Sequence, residues 1–188
     1  MCLLCTKHDI ASLNELLIGT DFKRMLYLQV FTDGSVNTQL KVGYGAYCVV
    51  SDLSQPIDSL KDTVKVKRFV QTSSTKLELQ TLLWALGETI SLANRSDIVL
   101  TVYTDSQNII SLPGRRNRLE QSNYFSGKNK RLNNYELYQE FYRLISGLNC
   151  RFVKVVGHQA SGKKDKIDRL FGLVDQSSRR ALRQNLRE

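Results

Sequence analysis

Leu28-Gln29-Val30-Phe31-Thr32-Asp33-Gly34-Ser35 is the stretch on which the reading of this chain turns. An apolar, β-prone run brings a carboxylate to the place where a strand stops, and Gly34 follows to let the backbone turn. Taken alone, Asp33 is a turn-former, because a short acid at a strand end hydrogen-bonds its own backbone. It becomes something else only if other carboxylates are delivered to the same place.

Working outward, the residues before this stretch have no strand pattern. Ile10, Leu13, Leu16, Leu17 and Ile18 fall near helical spacing, with Asp9 as N-cap and Gly19 as stop, so residues 1–26 read as a helical extension. Cys2, Cys5 and His8 have zinc-like spacing but lack a fourth ligand, and a frayed terminus is the plainer reading. After Asp33 come strands at 42–50 and 63–70, joined by short polar connections that favour an antiparallel meander. At Ser73 the period changes. Leu77, Leu79, Leu82, Leu83, Leu86 and Ile90 form the stripe of a helix over 75–93, capped by Ser73, Ser74 or Thr75. A strong strand, Ile98 to Thr104, ends at Asp105, and a short helix follows that Pro113-Gly114 closes. Residues 115–134 read as a basic loop, 135–145 as a helix, 151–156 as a strand ending at Gly157-His158, and 168–186 as the last helix. No repeat or linker interrupts residues 27–188, which read as one domain.

Composition narrows the class. With 41% hydrophobic and 24% charged residues the chain is that of a globular protein, and 188 residues suffice for one core. No run approaches the ~20 apolar residues of a membrane span, and the start lacks the basic flank and apolar core of a signal peptide, so we expect a cytoplasmic protein with no membrane partner. Cys48 and Cys150 lie in apolar, strand-like runs and read as buried free thiols. The net charge is +9, and residues 1–100 are balanced, with 10 basic and 10 acidic residues, so the whole excess lies in residues 101–188. Such asymmetry points to an anionic partner on one side of the molecule, a solvated basic surface being the bland alternative.

Element order gives an α/β fold: a mixed five-stranded sheet, three strands antiparallel and then two parallel, with helices on both faces. Asp33 and Asp105 follow the first and fourth strands. If those strands are neighbours, two carboxylates stand side by side and need a cation between them. Glu78 lies one turn into the helix that starts near Ser73, where it can overhang the sheet edge, although an isolated helix glutamate more often faces solvent.

Five ordered motifs now carry a resemblance: Phe31-Thr32-Asp33-Gly34-Ser35, Gly43-Tyr44-Gly45-Ala46, Thr75-Lys76-Leu77-Glu78-Leu79, Tyr103-Thr104-Asp105-Ser106-Gln107 and Val156-Gly157-His158. Over residues 27–186 the set resembles type 1 ribonuclease H. The resemblance implies a ribonuclease H-like fold and an endonuclease that hydrolyses the RNA strand of RNA/DNA hybrids. It implies two Mg²⁺ ions, with Mn²⁺ as a substitute, held by Asp33, Glu78, Asp105 and a fourth carboxylate on the last helix. Asp175 matches that position, with Asp168 and Asp165 as alternatives. His158 matches the family's mobile histidine. Gly34, Ser35, Ser74 and Thr75 stand where the family contacts the 2′-OH, Ser73 where it contacts a DNA phosphate, and Gln107 where it contacts a base or sugar. Arg115, Arg116, Arg118, Lys128, Lys130 and Arg131 occupy the place of the basic protrusion, with Tyr124 or Phe125 packing on the hybrid. A monomer is expected. Two other readings remain open at this point: a DNA-acting integrase, transposase or resolvase on the same fold, and a non-catalytic nucleic-acid-binding module.

Overall fold

The computed structural model describes residues 25–91, 97–156 and 165–186. The helix expected over residues 10–18, the Cys2/Cys5/His8 cluster and His158 lie outside them. Val30 and Phe31 are both fully buried, one on each face of the strand β1 (Leu26–Asn37), which a strand can achieve only in the middle of a sheet covered on both sides. β1 pairs antiparallel with β2 (Val42–Val50) and parallel with β4 (Ile98–Thr104). β3 (Lys65–Val70) lies outside β2 and β5 (Asn149–Lys154) outside β4, giving the order β3-β2-β1-β4-β5, a mixed five-stranded sheet of three antiparallel strands and then two parallel ones as expected. Between β2 and β3 sit a helical turn, α1 (Ile57–Leu60), and a 3₁₀ turn (Lys61–Thr63), which the polar sequence there does not announce.

β1 does not stop at Asp33. It runs on to Asn37, paired residue for residue with β2, and the reversal comes at residues 38–41. There the Asn37 side-chain oxygen accepts from the Gln39 and Leu40 N–H groups at 3.0 Å, and Lys41 takes φ 52°. Gly34 is therefore not a turn residue. Its lack of a side chain serves a close approach: a Cβ at Gly34 would lie 2.9 Å from Leu77, at Gly43 2.6 Å from Leu77, and at Gly45 2.0 Å from Thr81.

These glycines seat α2 (Ser74–Ile90) directly on β1 and β2, with Leu77, Leu79, Leu82, Ala85 and Leu86 fully buried beneath it. Each of these leucines contributes about 1.5–3 kcal/mol through burial. At the far end of α2, Glu88 accepts hydrogen bonds from Tyr47 (2.6 Å), Lys65 (2.5 Å) and Trp84 (2.5 Å). α3 (Gln107–Gln121) and α4 (Tyr135–Ile145) share the core on this face. α5 (Lys166–Asn185) covers the other face, where Leu170, Phe171 and Val174 pack on Phe31, Ala46 and Cys48. Cys48 and Cys150 are free thiols.

Pro113-Gly114 does not close α3, which continues to Gln121. An interior proline forfeits one helical hydrogen bond and costs about 3 kcal/mol. Here Ile109, Leu112 and Leu119 are buried in the core, the Ser106 side chain caps the start, and the Tyr142 hydroxyl donates to the Leu112 carbonyl at 2.8 Å. Arg115, Arg116 and Arg118 accordingly stand on a helix, not in a loop.

Candidate active site

Asp33 sits just beyond the last residue pair of the parallel β1–β4 ladder, Phe31 with Tyr103. Asp105 follows Thr104, the last residue of the neighbouring strand β4. The condition that these two acids stand on adjacent strands is therefore met. Glu78 reaches the same edge from the first turns of α2, and its Oε2 accepts from the Ser106 hydroxyl at 2.5 Å. Ser106 has a second task, since its Oγ accepts from Ile109 N–H as the N-cap of α3. One serine thus ties Glu78 to the segment that carries Asp105.

From the opposite face, α5 brings Asp175 toward Asp33. Asp175 accepts from the Arg179 guanidinium at 2.6 Å, and one turn on, the fully buried Ser178 donates to Asp33 Oδ2 at 2.9 Å. Asp165 and Asp168, the two alternatives for the fourth carboxylate, are used elsewhere. Asp165 accepts from Asp168 N–H at 2.8 Å and Asp168 accepts from Asp165 N–H at 3.2 Å, a reciprocal cap at the start of α5.

The electrostatics are those of acids crowded together. Burial pushes the Asp33 carboxyl up to about 6, and the charges of Asp105 and Asp175 add to the rise, against the hydrogen bonds from Ser178 and the Gly34 N–H. Burial likewise raises Glu78, with Asp105 adding to it. Among the described residues, no three acids, histidines or cysteines stand close enough together to hold an ion as they are. The donor set nevertheless fits a hard divalent cation. All four side chains offer carboxylate oxygen, and a positive charge among them would offset the burial and the repulsion that raise Asp33.

The remaining expected residues divide. Ser35 shares the Asp33 side of β1, with its Oγ 3.3 Å from Ser178 Oγ, and Ser73, Ser74 and Thr75 are exposed at the start of α2, with Ser74 Oγ 3.5 Å from Glu78 Oε1. Gln107 opens α3 and accepts from Lys154 Nζ at 2.7 Å through its side-chain oxygen. The basic residues are less uniform than a solvated loop. Arg115 and Arg116 lie over the rings of Tyr138 and Tyr142 at 5.7 and 5.6 Å, and Arg116 also pairs with Glu120. Arg131 lies over Tyr135 at 4.0 Å and Phe125 at 5.6 Å. Arg118, Lys128 and Lys130 are exposed. Tyr124 is buried against the core, which leaves Phe125 as the exposed ring of the pair.

Two contacts escaped sequence reasoning. Ser106 carried a signal, a serine at the start of a helix next to a strand-end acid. Ser178 carried only its spacing of three from Asp175.

The family model for RNase H matches residues 26–173, a span that ends two residues before Asp175. No curated protein matches the chain. Among solved structures, the chain is similar to LC9-RNase H1, a type 1 RNase H with the type 2 active-site motif, at 16% identity and TM-score 0.63, covering 86% of this chain and 74% of that one. It is similar to RNase H1 from the halophilic archaeon Halobacterium salinarum NRC-1 at 13% identity and TM-score 0.55, covering 84% and 98%. It is also similar to LC11-RNase H1 in complex with an RNA/DNA hybrid, at 16% identity and TM-score 0.53, covering 82% and 99%.

Proposed function

Because this chain belongs to the ribonuclease H family, we propose that it is an endonuclease that hydrolyses the RNA strand of RNA/DNA hybrids. One observation carries the reading. Asp33, Asp105 and Asp175 come from two adjacent strands and a helix on one face, and the charges of Asp105 and Asp175 act on the half-buried Asp33. A fold does not assemble like charges in a half-dry place for stability.

In this reading Asp33, Glu78, Asp105 and Asp175 hold two Mg²⁺ ions, for which Mn²⁺ substitutes. When bound, the ions supply Lewis acidity and charge neutralisation at the scissile phosphate. The chain itself does the positioning. Gly34 and Ser35 flank the cleaved strand, Ser74 and Thr75 meet 2′-hydroxyls, and Ser73 meets a phosphate of the DNA strand. A lysine can only donate, so Lys154 takes the Gln107 oxygen and leaves the amide nitrogen to donate to a base or sugar. Arg118, Lys128 and Lys130 neutralise backbone phosphates, and Arg115, Arg116 and Arg131 add to the same field from their aromatic seats. His158 assists proton transfer or product release. Residues 27–188 form the catalytic domain, residues 1–26 are an extension, and the protein works as a cytoplasmic monomer.

The test is direct. The full chain is incubated with Mg²⁺ and end-labelled RNA/DNA hybrid, RNA duplex, DNA duplex or branched DNA. Cleavage of the RNA strand in the hybrid, lost on chelation and in Asp33→Asn, is the expected result. Cutting of either DNA substrate, or binding without cleavage, overturns the reading.

A further inference from the structure

Ser178 is fully buried in the interior of α5, where a serine gains nothing from helix propensity and needs a partner for its hydroxyl. Three acceptors surround it: Asp33 Oδ2 at 2.9 Å, the Asp175 carbonyl at 3.0 Å and Ser35 Oγ at 3.3 Å. The hydroxyl has one proton. An ionised carboxylate is a stronger acceptor than a helix carbonyl or another hydroxyl, so the proton goes to Asp33 and the Ser178 oxygen is left to accept from Ser35. The result is a directed chain, Ser35 to Ser178 to Asp33, with each bond polarising the next. Ser178 also follows Asp175 by three residues, so one turn of one helix supplies both an acid of the site and the donor that fixes its central acid.

We propose that Ser178 is a positioning residue for divalent-cation binding: its hydroxyl holds one oxygen of Asp33 in place, so that the carboxylate is ordered before the ion arrives. The inference rests on the reading of Asp33 as a metal ligand. The bland alternative is a serine that bonds back to its own helix, to the Asp175 carbonyl, and merely fills space. Partners of this kind behind a ligating side chain are worth about 10–100-fold in metal affinity.

The experiment is calorimetric titration of the full chain with Mg²⁺, without nucleic acid, for wild type, Ser178→Ala, Asp33→Asn and the double variant, each with a metal-free melting curve. Ser178→Ala is expected to weaken Mg²⁺ binding about 10-fold or more, and to raise the Mg²⁺ concentration for half-maximal hybrid cleavage by the same factor. In the Asp33→Asn background it should have no further effect on affinity, because the group it orders is gone. A lowered melting temperature with unchanged affinity makes Ser178 a structural contact and overturns the inference. If Asp33→Asn loses Mg²⁺ binding while Ser178→Ala keeps it, only this inference falls. If Asp33→Asn binds Mg²⁺ as wild type does, the reading of the site itself falls.

Discussion

Glu78 and Glu88 lie on the same helix ten residues apart, about 15 Å along its axis, yet they live in opposite electrostatic worlds. Glu88 receives donors from Lys65, Tyr47 and Trp84, which hold its carboxyl down at about 2. Glu78 receives the Ser106 hydroxyl and a long contact from Ser74, while burial and Asp105 push it up. The difference lies in what the rest of the fold supplies at each end. Where Tyr47 of β2 and Lys65, the first residue of β3, face it, a glutamate closes a network. At the edge past β1 and β4, Glu78 meets the charge of Asp105, and its donors are the hydroxyls of Ser106 and Ser74. A carboxylate that is satisfied by its own protein has no use for a cation; one that is not has.

The sharpest way to break this comparison is to neutralise each member. Glu78→Gln, like Asp33→Asn, is expected to lower hybrid cleavage by about 1,000-fold or more, whereas Glu88→Gln should stay within about twofold of wild type and lower the melting temperature instead. Steady-state cleavage beside thermal melts decides it, and equal activity losses at both positions would remove the distinction.

A smaller effect tests how α2 is seated. Gly45→Ala places a methyl 2.0 Å from the Thr81 hydroxyl oxygen and 2.9 Å from its Cβ, both on a short, buried side chain. Overpacking of this kind costs about 1–3 kcal/mol in denaturant unfolding. Adding Thr81→Ala should recover part of that loss, since it removes the closest atom. A neutral Gly45→Ala would show that α2 is not held by this contact.

The smallest effect is in pH. Asp33 is raised to about 6 in the fold, so through this group the metal-free protein binds more protons folded than unfolded, and stability falls as pH rises from about 4 through about 6; Glu78, raised too, adds in the same direction. Glu88 is depressed, so its contribution is present above about 4.5 and is lost as pH falls toward about 2. Melting temperature should therefore peak near pH 4–5, with limbs of a few degrees. Asp33→Asn should flatten part of the upper limb and saturating Mg²⁺ more of it, while Glu88→Gln should flatten part of the lower, to which Asp52, Asp58 and Glu140, also held down by hydrogen bonds, contribute. An upper limb undiminished by Asp33→Asn would mean that Asp33 does not contribute to it.

The placing of Asp33 and Asp105 was legible because topology puts both just past the parallel β1–β4 ladder. An apolar run ending in Asp33 and another ending in Asp105 are local signals, and their adjacency follows from element order. The errors share a cause. Gly34 and Pro113-Gly114 have strong local meanings, turn and helix stop, but here tertiary contacts override both. Leu77 needs the space at Gly34, and the burial of Ile109, Leu112 and Leu119 carries α3 through its proline. The polar Asp33-to-Asn37 segment has poor strand propensity and is extended only because β2 pairs with it. Ser178 was invisible for a related reason: a helix serine announces nothing until the strand opposite it is known.

The outer strands of the sheet bear on how the protein behaves at high concentration. β3 is the outermost strand on one side and exposes Val66 and Val70, which are 41% and 53% accessible. An open strand of this kind is a template for pairing with another copy. Within the same six residues, however, β3 carries Lys65, Lys67 and Arg68, and β5 at the opposite edge carries Arg151 and Lys154. Two molecules approaching edge to edge bring these cations near one another, of which, among the described residues, Lys65 alone is already paired with a carboxylate of its own chain, Glu88. Like charges at both rims thus oppose growth of the sheet from one molecule into the next, and added salt, by screening them, is the condition that weakens this guard against aggregation.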